Sequence, residues 1–263
     1  PVCMPASIAL SSACDSAGAI QCRTCAISAG VQHLAGDLLV DRSLFHPARI
    51  DQGLPPFDEA PEFPYNVIPD ALLLAGNLLP LDLRATDSGV QAATVPVLPG
   101  LQLDSRMVLD DRRCADWDDG WLPATVTALA DGQTRITLNG SFPRGCVRRV
   151  ALQLIDRQEL TERLFSALWQ GLGGTWAGRA REAPTPAGAR VLAQRQSRPL
   201  GEWVRQVNKA SDNALTRLLF LQLGVPAEGA PADPVAPPGA DRPTSLPTTR
   251  PRNATSSSCS RLS

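Results

Sequence analysis

An α+β fold is predicted for the 263-residue chain, because strand patterning fills its middle and helical patterning follows it. Three observations carry this reading. The stretch "ALLLAGNLLPLDLR" (71–84) ends with Leu79, Leu81 and Leu83 alternating against polar or proline positions, the period of a half-buried strand. The stretch "ATVTALADGQTRITLNG" (124–140) reads as two alternating strands joined at Asp131-Gly132, the strongest short hairpin signal in the chain. Beyond these, Leu160, Leu164 and Leu168 with Phe165 and Trp169 share one face at helical spacing in "QELTERLFSALWQGLGG".

Taken in order, "AGDLLVDRSLF" (35–45) is the first strand expected, followed by 71–84, the hairpin, and "VRRVALQLID" (147–156), which extends the β-rich part. After the helix expected within 158–174 a second is expected over "PLGEWVRQVNKA" (199–210), which opens with Pro199 and presents Leu200, Trp203, Val204 and Val207. A third starts at Asp212, with Leu215, Leu218, Leu219 and Gln222 recurring at i, i+3, i+4 and i+7 before Gly224. The triplet Ser211-Asp212-Asn213 therefore lies at a junction between two helices. Ser, Asp and Asn are the usual N-cap residues, since their side-chain oxygens accept from unpaired first-turn amides. The triplet can thus be a cap, or part of a site aimed into a cleft.

Both ends differ from this middle. Residues 1–30 hold four of the seven cysteines and no sustained period, and read as an irregular leader. Residues 225–263 are dense in Pro, Ser and Thr, cannot bury enough surface to offset their ordering entropy, and read as a disordered tail, with a Pro-rich ligand or linker as the alternative. The N-A-T at Asn253 matches a glycosylation acceptor by chance.

A hydrophobic content of 43% suffices for a core, while a net charge of −1 and a pI near 6.2 give no electrostatic case for nucleic acid or an anionic membrane. No run approaches the roughly 18 apolar residues of a transmembrane segment. Lys209 is the only lysine among 25 basic residues. The chain can offer one lysine-dependent catalytic role, because arginine does not lose its proton near neutral pH.

Cys22-x-x-Cys25 invites a zinc or redox reading with Cys3, Cys14, His33 and His46 as neighbours, but a second C-x-x-C and an H-x₃₋₅-H are missing, so no metal or other cofactor is expected. Cys114 and Cys146 flank the hairpin. They are either two buried thiols or a disulfide closing a loop of about 33 residues, worth roughly 3–4 kcal/mol in the chain-entropy model. His33 and His46 read as surface or partly buried residues.

Three blocks together resemble one family. These are "GDLLVDRSLFHPARIDQGLPPFDEAPEFPYNVIPDALLLAGNLLPLDLR" (36–84), "QRQSRPLGEWVRQVNKASDNALTRLLFLQLG" (194–224), and the cysteines around "ITLNGSFPRGC". The chain resembles the D-alanyl-D-alanine carboxypeptidase/endopeptidase family of low-molecular-weight penicillin-binding proteins, serine peptidase family S13 of the penicillin-binding-protein-4 type, over roughly 31–224.

The resemblance implies a partial DD-peptidase/β-lactamase-like domain with large inserted β-rich domains, 31–195 being the inserted region and 196–224 the helical part of the peptidase domain. It implies a periplasmic enzyme of cell-wall metabolism that cleaves peptidoglycan stem peptides and is acylated by β-lactam antibiotics. Its chemistry uses S-x-x-K, S-x-N and K-T-G: a serine attacks the carbonyl, a lysine accepts its proton, and fixed amides hold the oxyanion. Ser211 and Asn213 would be the S-x-N pair, the serine relaying a proton and the asparagine binding the substrate amide and ordering the lysine, with Asp212 as a cap. Cys114 and Cys146 are similar to a disulfide pair of related members, in keeping with an oxidising compartment.

Two motifs do not occur. In "PASIAL" Ser7 is followed three residues later by Leu10, and no K-T-G or H-T-G follows Gly224. Little or no turnover is therefore expected from this chain alone. The shift of composition predicts that 1–30 and 225–263 are frame-shifted or mispredicted ends around a genuine middle, and that other reading frames hold the missing motifs. A real leader and tail are the alternative. With the far part of its domain absent, the helix at 212–223 is expected to expose Leu218, Leu219 and Phe220 and to promote aggregation. The competing reading of function is a non-catalytic cell-wall-binding or scaffold protein of the same descent.

Overall fold

The computed structural model describes residues 2–4, 31–50, 54–191 and 198–225, with the backbone alone described over 2–4. The expected elements on 1–30 and 225–263, Cys22, Cys25 and Ser7 among them, lie outside the described residues, Val225 and the backbone of 2–4 excepted.

In chain order the strands are β1 (Val2–Met4), β2 (His33–Leu34), β3 (Leu38–Val40), β4 (Leu79–Thr86), β5 (Gly89–Thr94), β6 (Leu101–Ser105), β7 (Val108–Asp110), β8 (Trp121–Ala128), β9 (Thr134–Pro143), β10 (Val147–Leu152), β11 (Thr175–Trp176) and β12 (Ala180–Glu182). The helices are α1 (Arg157–Gln170), α2 (Leu200–Ala210) and α3 (Asn213–Leu223). Mixed helices and sheets are what the sequence patterning predicts.

Four small sheets result among the described residues. β4 lies between β10 and β5 in antiparallel register. β9 is the spine of another, with β8 antiparallel on one flank and β6 and β7 parallel along the other. β3 lies between β1 and β12, all parallel, and β2 pairs with β11.

The alternation in β4 sets the main core. Leu79, Leu81 and Leu83 are buried, while Pro80 and Asp82 are half-buried and Arg84 is exposed. They pack with Ile136, Leu138 and Phe142 of β9 and with Leu160 and Leu164 of α1. Each such aliphatic side chain contributes about 1.5–3 kcal/mol on burial. The β8–β9 hairpin turns through Asp131 (φ 61°) and Gly132 (φ 71°), the left-handed region that an Asp-Gly pair tolerates. Cys114 and Cys146 form a disulfide, with Cα atoms 5.3 Å apart, that ties the turn before β8 to the start of β10.

Three expectations need correction. The strand expected over 71–84 begins only at Leu79, because Ala75, Gly76 and Asn77 take left-handed backbone (φ 52°, 69° and 56°) and form a turn. The strand expected over 35–45 is limited to Leu38–Val40, since Asp41 then caps a turn by accepting from the backbone and hydroxyl of Ser43. In α2, Trp203 and Val207 are buried but Leu200 and Val204 are exposed, so its apolar face is narrower than its sequence.

A second core joins the helical part to the segment before β4. Phe45, Val67, Ala71 and Leu73 pack with Trp203 and Val207 of α2 and with Ala214, Leu215 and Leu218 of α3. Leu218 is 3% exposed, which overturns the expectation that it would face solvent. Its neighbours from 45–73 supply the cover; Leu219 is half-buried, and Phe220 remains 55% exposed as expected.

Beneath this second core lies a buried charge cluster. The Asp70 carboxylate meets Arg42 at 3.1 Å and Arg157 at 2.9 Å, and Arg42 also reaches Glu182 at 2.9 Å. Burial pushes the Asp70 carboxyl above its ordinary value, against the pull of the two guanidiniums. The cluster binds the segment after β3, β12 and α1 to the loop that carries Val67 and Ala71.

Candidate active site

The helix junction is made by two local devices. Ser211 ends α2 in left-handed backbone (φ 51°, ψ 42°), and its N–H donates to the Val207 carbonyl. The Asp212 N–H donates to that same carbonyl at 3.1 Å, so one oxygen closes both end-turns of α2. Asp212 then returns to extended backbone and begins α3, its Oδ1 accepting from the Leu215 N–H at 2.9 Å. Of the three capping residues, Asp212 is therefore the one that caps.

Ser211 and Asn213 flank this cap and are left with their polar groups unspent. Ser211 is exposed and Asn213 half-buried, and among the described residues neither side chain has a hydrogen-bond partner. An unspent hydroxyl can pass a proton, and an unspent amide can both donate to and accept from a peptide group. Lys209 lies two residues before Ser211 in the last turn of α2, exposed, where a cation complements the helix dipole.

One turn along α3 from Asn213, Arg217 fixes the junction to a loop. Its Nη1 donates to the Tyr65 and Val67 carbonyls at 3.3 and 3.4 Å, and its guanidinium lies 3.7 Å over the Phe57 ring. The loop is closed by buried Asn66, whose Oδ1 accepts from the Phe57 and Asp58 N–H groups and whose Nδ2 donates to Asp58 and Ala60. Glu62 anchors it to β8 by accepting from the Trp121 indole at 2.6 Å and the Ala124 N–H at 2.7 Å.

Arg217 and this loop are what reading the sequence for motifs missed. The signal available was an arginine at i+4 from Asn213, which shares its helix face. His33 and His46 are exposed, as expected, and His33 Nδ1 bonds the Thr175 hydroxyl at 2.7 Å between β2 and β11. Among the described residues no group of three or more His, Cys, Asp or Glu could hold a metal ion, and no helix is long and apolar enough to cross a membrane.

Comparison with known proteins bears on the family and the fold. The sequence model of the D-Ala-D-Ala carboxypeptidase 3 (S13) family matches residues 25–233. No curated protein matches the chain. Among solved structures, penicillin binding protein 4 (dacB) from Haemophilus influenzae in complex with a novel β-lactam aligns over 82% of this chain and 45% of its own, with 16% identity and a TM-score of 0.51. A second crystal structure of that protein aligns over 81% of this chain and 46% of its own, with 18% identity and a TM-score of 0.56.

At these identities the likeness concerns the fold, and the chain spans about half the length of the structures it matches. The mixed α and β architecture of a penicillin-binding protein 4 is thereby present in part. The family match covers most of the chain, strands β2 to β12, both cores and the helix junction included: the protein belongs to the D-Ala-D-Ala carboxypeptidase 3 (S13) family.

Proposed function

We propose that the chain carries part of the centre of a serine-type D-Ala-D-Ala carboxypeptidase acting on peptidoglycan stem peptides in the periplasm, with Ser211 and Asn213 as its S-x-N pair. The observation that carries this reading is the junction itself. A left-handed serine and a helix-opening asparagine, both unspent, flank an aspartate whose Oδ1 is engaged as a cap.

In this reading the Ser211 hydroxyl relays the proton between the nucleophile and the leaving amine, and the Asn213 amide holds the substrate peptide group and orders the lysine base. β-Lactams, which resemble the substrate, would acylate the nucleophilic serine of the completed centre. The 263 residues contain no S-x-x-K, since Lys209 is the only lysine and Gln206 stands three residues before it, and they contain no K-T-G. Losing a general base alone costs about 10²–10⁴ in rate. This chain by itself is therefore proposed to turn over little or no substrate.

That same deficit favours a second reading, a non-catalytic cell-wall-binding protein that keeps the family's inserted β-rich domains. D-Alanine release from a pentapeptide ending in D-Ala-D-Ala separates the two. The chain is expected to release none alone and to do so once joined to family segments bearing S-x-x-K and K-T-G, with the rate falling at least tenfold on Asn213→Ala. Failure of the joined protein to release D-alanine while it binds the peptide would support the second reading.

A further inference from the structure

The Phe57–Asn66 loop is rigidly tied yet presents two aromatic rings to solvent. Phe57 is 51% and Tyr65 46% exposed, their rings meet edge to face at 6.4 Å, and Asn66, which organises the loop, is 4% exposed. Compact loops closed by their own side chains are frequent carriers of recognition. Arg217 lies over this pair from α3, 3.7 Å from the Phe57 centroid and 5.4 Å from that of Tyr65. Only its Nη1 is engaged, by the Tyr65 and Val67 carbonyls, and no described residue takes its Nε or Nη2. Asp58, the acid beside Phe57, has its Oδ1 occupied by Asn66 and Ala60. Arg217 stands four residues beyond Asn213, on the same face of α3.

We propose that Arg217, Phe57 and Tyr65 form a wall that binds the body of an anionic peptide alongside Asn213, with the free edge of the Arg217 guanidinium taking a carboxylate of that peptide. The inference rests on the reading of Asn213 as a substrate-binding residue. Stacking on Phe57 fixes the plane of the guanidinium, and a fixed fork recognises a carboxylate with little ordering cost. The two rings supply apolar contact for the peptide's aliphatic stem. Arg217 is thus a specificity-determining residue.

Calorimetric titration of the 263-residue chain with two pentapeptides, L-Ala-γ-D-Glu-L-Lys-D-Ala-D-Ala and the same peptide with isoglutamine replacing the glutamate, tests it. The carboxylate peptide is expected to bind about five- to tenfold more tightly, the increment of a charge-assisted over a neutral hydrogen bond. In Arg217→Gln this preference should vanish, and in Phe57→Leu it should shrink. The preference is a ratio taken within one preparation, so a change in folding yield does not move it. Equal binding of the two peptides, or a preference that survives Arg217→Gln, would overturn the inference and leave the reading of Asn213 intact. Binding of neither peptide would likewise overturn the inference, while the reading of Asn213 falls only if the joined protein keeps its rate in Asn213→Ala.

Discussion

Asp212 accepts the Leu215 N–H at 2.9 Å while Ser211, the residue before it, ends the preceding helix in left-handed backbone. Capping thus falls to Asp212 alone, and the chemistry proposed for this triplet falls to its neighbours Ser211 and Asn213. Asp212→Ala should destabilise the protein by about 1 kcal/mol through loss of the cap, and Asp212→Asn or Asp212→Ser by much less. Urea unfolding of the three variants checks this; an unchanged midpoint in Asp212→Ala would remove the cap from the account.

Asp41 supplies a pH dependence. Partial burial opposes its ionisation, but the hydroxyl and N–H of Ser43 and the N–H of Thr185 outweigh that and hold its pKa down to about 2, from an ordinary value of 3.8. A carboxyl with a lowered native pKa contributes stability that is present above 3.8 and lost as the pH falls towards 2. In Asp41→Asn the loss of unfolding free energy between these limits should be smaller by about 1–2 kcal/mol, after allowance for solvent screening. Acid titrations of unfolding, wild type against variant, read it directly.

The Cys114–Cys146 disulfide gives a third expectation. Peptides containing these two residues should take up an alkylating tag only after reduction, and reduction should cost roughly 3–4 kcal/mol for a loop of this length. Labelling of both in the unreduced protein would contradict the pairing.

How much of this was legible in the sequence follows from where the interactions lie. The β4 alternation, the Asp131-Gly132 hairpin and the spacing of Leu160 and Leu164 are local signals, and the structure keeps all three. The cysteine pair was left open by spacing and was suggested by the family resemblance. Leu218 departs from expectation because its cover, Phe45 and Val67, lies some 150 to 170 residues away in the chain, and such packing leaves no periodic trace. The parallel pairing of β6 and β7 along β9 is equally non-local. The Arg42–Asp70–Arg157 cluster escaped for a related reason: single charged residues in apolar surroundings read as surface unless their partners are known. Ser211 and Asn213 were readable as a motif, whereas Arg217 becomes visible only when its aromatic loop is folded against it.

The helix junction is proposed to be one element of a penicillin-reactive centre that is incomplete in this chain by itself. Gel labelling with a fluorescent penicillin tests that most directly, on the 263-residue chain and on the chain joined to family segments bearing S-x-x-K and K-T-G. The expected result is no label on the first, and on the second a label that falls at least tenfold on Ser211→Ala, the effect of losing a proton-relay group. A stable label on the unextended chain, or labelling of the joined protein that is indifferent to Ser211→Ala, would contradict it.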